Sequence, residues 1–254
     1  MGMEKLWHSA HSHSGKKISG TSSAISFLMV AHHQQVIPWH TTILPRATEQ
    51  ALEYLAGQSW LKRSGWYLAG GTALALQTGH RSSVDLDFFT RKTDFSSGRL
   101  ISRFGVGTQT WTTDVIREGT VYGRLGAAKV SFIAYPFFLP KRPYHWYGSV
   151  PVLDARDIAV MKIIAISQRG RKRDFVDLYW YCVNREALVD VLLRVSVQYP
   201  TVAHDFHHII KSFTYFIDAE ADPMPRIFFS ATWPKIKAFF RREAVAAARH
   251  FLAV

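Results

Sequence analysis

Asp85 and Asp87 stand one residue apart in Val84-Asp85-Leu86-Asp87-Phe88-Phe89, and no other feature of the 254 residues constrains the fold as much. Val84, Leu86 and Phe88 alternate with the two acids. In a strand, this period of two turns both carboxylates onto one face, with Cα atoms roughly 7 Å apart. Two carboxylates side by side repel each other and are costly unless a cation neutralises them. Oxygen ligands on a rigid strand suit Mg²⁺, which commonly takes one or two carboxylates and completes its shell with substrate phosphates. The pattern points to a metal–nucleotide site on a sheet.

The residues just upstream supply the other half of such a site. Gly70 and Gly71 follow the apolar run Trp66-Tyr67-Leu68 and permit a sharp turn and a close backbone approach to a ligand. Thr72 is placed to cap the helix expected over Ala73-Leu74-Ala75-Leu76-Gln77, leaving N–H groups free for an anion. His80 and Arg81 are candidates for phosphate contact. A Gly-Gly turn alone is ordinarily only a turn, and a D-x-D pair alone is ordinarily a solvated strand face. Their order between residues 66 and 90 (strand, Gly-Gly-Thr, short helix, acidic strand) is far less common by accident.

Three stretches together resemble the AbiEii/AbiGii-type nucleotidyltransferases, a branch of the DNA polymerase β-like superfamily known as toxins of type IV toxin–antitoxin and abortive-infection systems. The first is Ala69-Gly70-Gly71-Thr72-Ala73-Leu74-Ala75 followed by Gly79-His80-Arg81-Ser82-Ser83-Val84-Asp85-Leu86-Asp87-Phe88-Phe89. The second is Lys162, and the third is Lys172-Arg173-Asp174-Phe175-Val176-Asp177-Leu178-Tyr179. The resemblance implies Gly70, Gly71 and Thr72 at an NTP triphosphate and Asp85 and Asp87 on Mg²⁺. It further implies Lys162 on nucleotide phosphate and Asp177 as an additional catalytic-site acid. The implied acceptor is a tRNA 3′ end, and the implied partner a cognate antitoxin.

The residues around Lys162 and Asp177 agree only in part. Asp154-Ala155-Arg156-Asp157 reads as a helix start, and Ile158, Met161 and Ala165 form an apolar stripe. A lysine beside such a stripe is ordinarily a snorkelling surface residue, so only the resemblance singles out Lys162. In the next helix Phe175, Leu178, Tyr179 and Cys182 make a packing face, and Asp174, Asp177 and Tyr181 fall on another. An ion pair with Arg171-Lys172-Arg173 accounts for Asp174, leaving Asp177 as the candidate to orient or deprotonate the acceptor. Many polymerase β-like enzymes carry a third carboxylate on a later strand. Here that run, Ala128–Tyr135, contains no acid, and Asp114 and Glu118 upstream are not well placed by spacing.

Composition limits the partners. Lys and Arg outnumber Asp and Glu by 31 to 19, for a net charge of +12, which favours polyanions such as RNA. Basic groups recur at Arg169–Arg173, at Lys235, Lys237, Arg241 and Arg242, and in the aromatic mixture Lys141-Arg142-Pro143-Tyr144-His145-Trp146-Tyr147. A single cysteine, Cys182, rules out an internal disulfide and fits a reducing, cytoplasmic setting. No apolar run approaches the length that spans a bilayer, so no membrane association is expected.

The expected architecture is α/β (α+β): a small mixed-sheet nucleotidyltransferase core over 41–150 and a mainly helical domain over 151–254 that completes the active-site cleft. Residues 1–40, rich in His and Ser, read as a flexible tail. Strands are expected at 66–68, 84–89, 109–116, 120–125 and 129–135, and helices at 155–168, 173–183, 185–198 and 234–252. The expected reaction is Mg²⁺-dependent transfer of an NMP from an NTP to an acceptor hydroxyl. Alternatives are a same-fold enzyme acting on a small molecule or protein side chain, and a non-catalytic nucleic-acid-binding protein.

Overall fold

The computed structural model describes residues 38–105 and 110–252, so the tail expected over residues 1–40 lies almost wholly outside the described residues. Chain order is α1 (Arg46–Ala56), β1 (Trp66–Ala69), α2 (Gly70–Thr78), β2 (Leu86–Thr90), α3 (Ser97–Ile101), β3 (Trp111–Arg117), β4 (Thr120–Leu125), β5 (Ala128–Ala134), β6 (His145–Tyr147) and β7 (Val150–Val152). Helices then follow without interruption: α4 (Ala155–Arg169), α5 (Lys172–Asn184), α6 (Leu188–Leu193), α7 (Val195–Gln198), α8 (Phe206–Ser212), α9 (Ile217–Glu220) and α10 (Trp233–Phe251). The architecture is the expected mixed α/β sheet followed by a helical C-terminal region.

The seven strands form one mixed sheet in the order β3-β4-β5-β2-β1-β7-β6. Central β2 runs antiparallel to β1 and parallel to β5. Its period of two sorts the side chains as the sequence requires. Leu86, Phe88 and Thr90 are buried, while Asp87 and Phe89 on the opposite face are half-buried. The buried face is aromatic: Phe132 of β5 packs against Phe88 at 5.1 Å and Trp66 at 5.0 Å between ring centroids.

The acid-bearing strand is shorter than expected at its start. Val84 is 51% exposed and the ladder begins at Leu86, so Asp85 sits one residue ahead of the paired strand. Strands β6 and β7 were not legible, because each is three residues long and Pro151 stands inside β7. The helix expected over 185–198 is broken into α6 and α7 at Arg194. Within the Lys141–Tyr147 segment, Tyr144 stacks on Tyr67 at 5.2 Å and Tyr147 packs edge-on to Trp39 at 5.7 Å. Two of its rings therefore serve packing rather than an open stacking surface.

One buried amide fixes the helix that follows β7 relative to the glycine-led helix after β1. Gln77 Nε2 donates to the carbonyls of Ala73 and Leu153, each at 2.8 Å, and Gln77 Oε1 accepts from the Ala155 N–H at 3.0 Å. The first turn of α4 is thus clamped to α2. Replacing Gln77 with Leu strands the Leu153 carbonyl and the Ala155 N–H. We expect Gln77→Leu to lower unfolding free energy by about 2–3 kcal/mol, read from urea melts, with an unchanged m-value.

Candidate active site

Asp85 and Asp87 open into a cavity of about 630 Å³ between the polar sheet face and helices α4 and α5. Gly70, Gly71, Arg81, Lys162, Arg169 and Arg173 line the same cavity. The two glycines have separate causes. Gly70 turns the chain out of β1 at φ +70°, and a Cβ there would stand 3.2 Å from Asp87 Oδ2. Gly71 leaves room for a neighbouring side chain: a Cβ would overlap Arg81 Nη2 and stand 3.3 Å from Asp177 Oδ2.

Asp177 is the centre of a buried ion cluster. Its Oδ1 accepts from Arg81 Nε at 2.5 Å and pairs with His80 Nε2 at 2.8 Å. Its Oδ2 accepts from Arg81 Nη2 at 2.9 Å and pairs with Lys162 Nζ at 2.6 Å. Lys162 also bonds Asp174 Oδ1 at 2.7 Å, and Arg169 Nε reaches Asp174 Oδ2 at 3.1 Å. Both aspartates are fully buried. Burial opposes their ionisation, but Arg81 and Lys162 around Asp177, and Lys162 and Arg169 around Asp174, outweigh it. Both carboxyls are held below the ordinary range, Asp177 well below. Burial keeps the His80 imidazole below its usual pKa despite its bond to Asp177.

This geometry revises several expectations. Asp177 does not line the cavity, and both its oxygens are engaged by buried cationic or imidazole groups, so it is a poor general base; it positions Arg81 and Lys162. Lys162 is 4% exposed and does not snorkel, because two aspartates on α5 meet its ammonium. Asp174 pairs with Lys162 and Arg169 rather than with the 171–173 cluster. Arg171 instead meets Asp222 at 2.6 Å and Arg173 meets Asp85 at 3.2 Å. His80 is fully enclosed and not available to phosphate. Thr72 lies inside the first turn of α2 rather than at its cap. Its hydroxyl bonds Ser83 Oγ at 2.8 Å and the Asp85 carbonyl, which anchors the approach to β2.

Three further residues stand around the cavity: Ser131, which carries no sequence signal, Arg169, marked only as part of a basic group, and Asp114, which spacing does not place. Ser131 of β5 stands directly opposite Asp87 and donates to its Oδ1 at 2.6 Å, on the strand that carries no acid. Arg169 closes the rim from the end of α4. Asp114 reaches the cavity from β3, two residues along from Thr112, which pairs with the cavity residue Arg124; the β3–β4 register shifts just beyond it, between Thr113 and Val115.

A divalent cation fits the acid pair. The donors are carboxylate oxygens that line a cavity. Burial and the neighbouring Asp85 charge raise the Asp87 pKa against the Ser131 bond. The Arg173 guanidinium on Asp85 already occupies a cation's place. Two carboxylates leave most of an octahedral shell to phosphate and water, as Mg²⁺ prefers.

The buried cluster has a pH signature. A carboxyl whose folded pKa lies below its unfolded value stabilises the fold above the unfolded pKa, and this is lost as pH falls through the folded value. Wild-type stability should therefore decline from about pH 4 downward. Asp177→Asn should lose about 3–5 kcal/mol at pH 7 by leaving Arg81 and Lys162 undercompensated, and should show a shallower acid decline, both measured by urea unfolding.

Comparison with known proteins places this site in a family. The chain matches the family described as nucleotidyl transferase AbiEii toxin, type IV TA system, over residues 61–113 and 128–253. It is 34% identical over 185 residues to an uncharacterized protein of Aquifex aeolicus (strain VF5), covering 70% of this chain and 85% of that one. Among solved structures, a putative nucleotidyltransferase from H. pylori aligns at TM-score 0.48 and 15% identity, over 82% of this chain and 98% of that chain. The MenT4 nucleotidyltransferase toxin of Mycobacterium tuberculosis H37Rv aligns at TM-score 0.49 and 13% identity, over 80% and 84%. The family match spans both the glycine–aspartate segment and the lysine and aspartates of α4 and α5, so the chain belongs to the AbiEii nucleotidyltransferase family.

Proposed function

We propose that this nucleotidyltransferase moves a nucleoside monophosphate from an NTP to the 3′-hydroxyl of an RNA, most simply a tRNA, as the toxin of a type IV toxin–antitoxin pair. The observation that carries the reading is the cavity itself, where Asp85 and Asp87 face Arg81, Lys162, Arg169 and Arg173. Asp85 and Asp87 would hold Mg²⁺, which when bound offsets negative charge on the triphosphate. Arg81 and Lys162, oriented by Asp177, present fixed positive charge to phosphate oxygens. Arg169 and Arg173 extend that charge to the rim. Gly70 and Gly71 keep the α2 backbone close to the acids.

Phosphoryl transfer through a loose transition state depends on positioning and charge more than on a strong base. Withdrawal of Asp177 from the base role is compatible with that chemistry. The acceptor hydroxyl loses its proton to water as its oxygen bonds to the α-phosphorus and pyrophosphate departs, and the buried cluster keeps two cations in place throughout. The net charge of +12 supports a polyanionic acceptor. Among the described residues no helix is long and apolar enough to cross a membrane, and we place the reaction in the cytoplasm with its RNA substrate.

The test is incubation of purified protein with each labelled NTP, Mg²⁺ and total tRNA. Label should enter RNA with one or more nucleotides, and Asp87→Ala should reduce the rate at least about a thousandfold by removing a metal ligand. EDTA should abolish transfer. Label appearing on protein or on a small molecule, with none on RNA, would contradict the acceptor assignment.

A further inference from the structure

The sheet continues past the acids as an open surface that the phosphate-binding groups do not use. Register places Asp87 opposite Ser131, Ser131 opposite Tyr122 and Tyr122 opposite Val115, a single row across β2, β5, β4 and β3. Lys129 and Arg124 pair across β5 and β4, each two residues from that row and therefore on the same face. Tyr122, Arg124 and Lys129 all line the cavity that holds Asp85 and Asp87. Tyr122 is 43% exposed and the Arg124 side chain 52%. From the strand spacing, Tyr122 lies roughly 10 Å from Asp87.

The placement of the cations decides what this surface is for. Arg81, Lys162, Arg169 and Arg173 approach the acids from the α2, α4 and α5 side. Pyrophosphate leaving toward those charges obliges an in-line nucleophile to arrive from the other side, over β5 and β4. That approach offers one exposed aromatic ring beside a row of two cations, the combination that binds unpaired nucleotides by base stacking and backbone contact. Asp114 pairs with Arg124 at 3.3 Å, but both are exposed, so the pair is weak and free to yield to a phosphate.

We infer that the β5–β4 surface is the acceptor platform, with Tyr122 stacking a base of a single-stranded RNA 3′ end and Lys129 and Arg124 contacting its phosphates. This rests on the RNA reading above and adds the residues that would select an unpaired end over a duplex. Tyr122 touches nothing in the buried ion cluster, so its replacement leaves the NTP site intact.

The experiment measures binding of a fluorescein-labelled single-stranded RNA of about twelve nucleotides, and steady-state transfer to it, for wild type, Tyr122→Ala, Tyr122→Phe and Lys129→Ala. Tyr122→Ala should weaken RNA binding and raise the RNA KM about tenfold or more, with the NTP KM unchanged. Tyr122→Phe, which keeps the ring, should stay within about threefold of wild type. Lys129→Ala should lower the slope of log Kd against log salt by about one phosphate contact. If wild type transfers label to RNA while Tyr122→Ala binds and reacts unchanged, the platform is wrong and the RNA reading stands. If wild type labels no RNA, the RNA reading itself fails and the platform with it.

Discussion

Everything around the cavity depends on one buried carboxylate. Asp177 accepts from Arg81 and pairs with His80 and Lys162, so it joins the segment ahead of β2 to both α4 and α5. An uncompensated charge in that position would cost several kcal/mol; compensated, it fixes partners in one geometry. The glycine at 71 follows from the same requirement, because any larger residue would displace the arginine. The Ser82 N–H bonded to the Arg226 carbonyl, and the Phe228 N–H bonded to the His80 carbonyl, hold this segment from the C-terminal side. A residue of α5 thereby sets where two cations stand relative to Asp85 and Asp87.

That arrangement divides the labour of the site. Asp85 and Asp87 line the cavity, with Arg173 on Asp85 and Ser131 on Asp87, whereas Asp174 and Asp177 are fully buried and consumed by internal pairing. The four aspartates differ in environment rather than in chemistry. Ser131, bonded to Asp87 from the acid-free strand β5, constrains that carboxylate without adding charge. On the proposed reading, a site built this way would rely on fixed charge around the phosphates, with the incoming hydroxyl on the sheet side.

The parts of this account legible in the sequence are those governed by local period. Alternation around Asp85 and Asp87 shows their shared exposure, and Asp174 and Asp177, three apart on a helix, show a common acidic face. What occupies that face was not legible, since Lys162, His80 and Arg81 come from 12 to 97 residues away. Lys162 looks like an ordinary snorkelling lysine until the acids opposite it are known. The partners of Asp177 are not legible for the same reason: a polar residue on a helix says nothing of how many cations reach it. Asp114 meets the cavity only through the pairing of β3 with β4, and β6 and β7 are too short to carry a pattern.

The central claim, that Asp177 and Arg81 act as one unit in assembling the site, is tested most directly by a double-mutant cycle. The four proteins are wild type, Arg81→Met, Asp177→Leu and the double variant, with unfolding free energies from urea titration. The account predicts strong non-additivity, with a coupling of about 2 kcal/mol or more and a double variant well above the stability expected from the singles. Single-variant losses that add to within about 0.5 kcal/mol would contradict it.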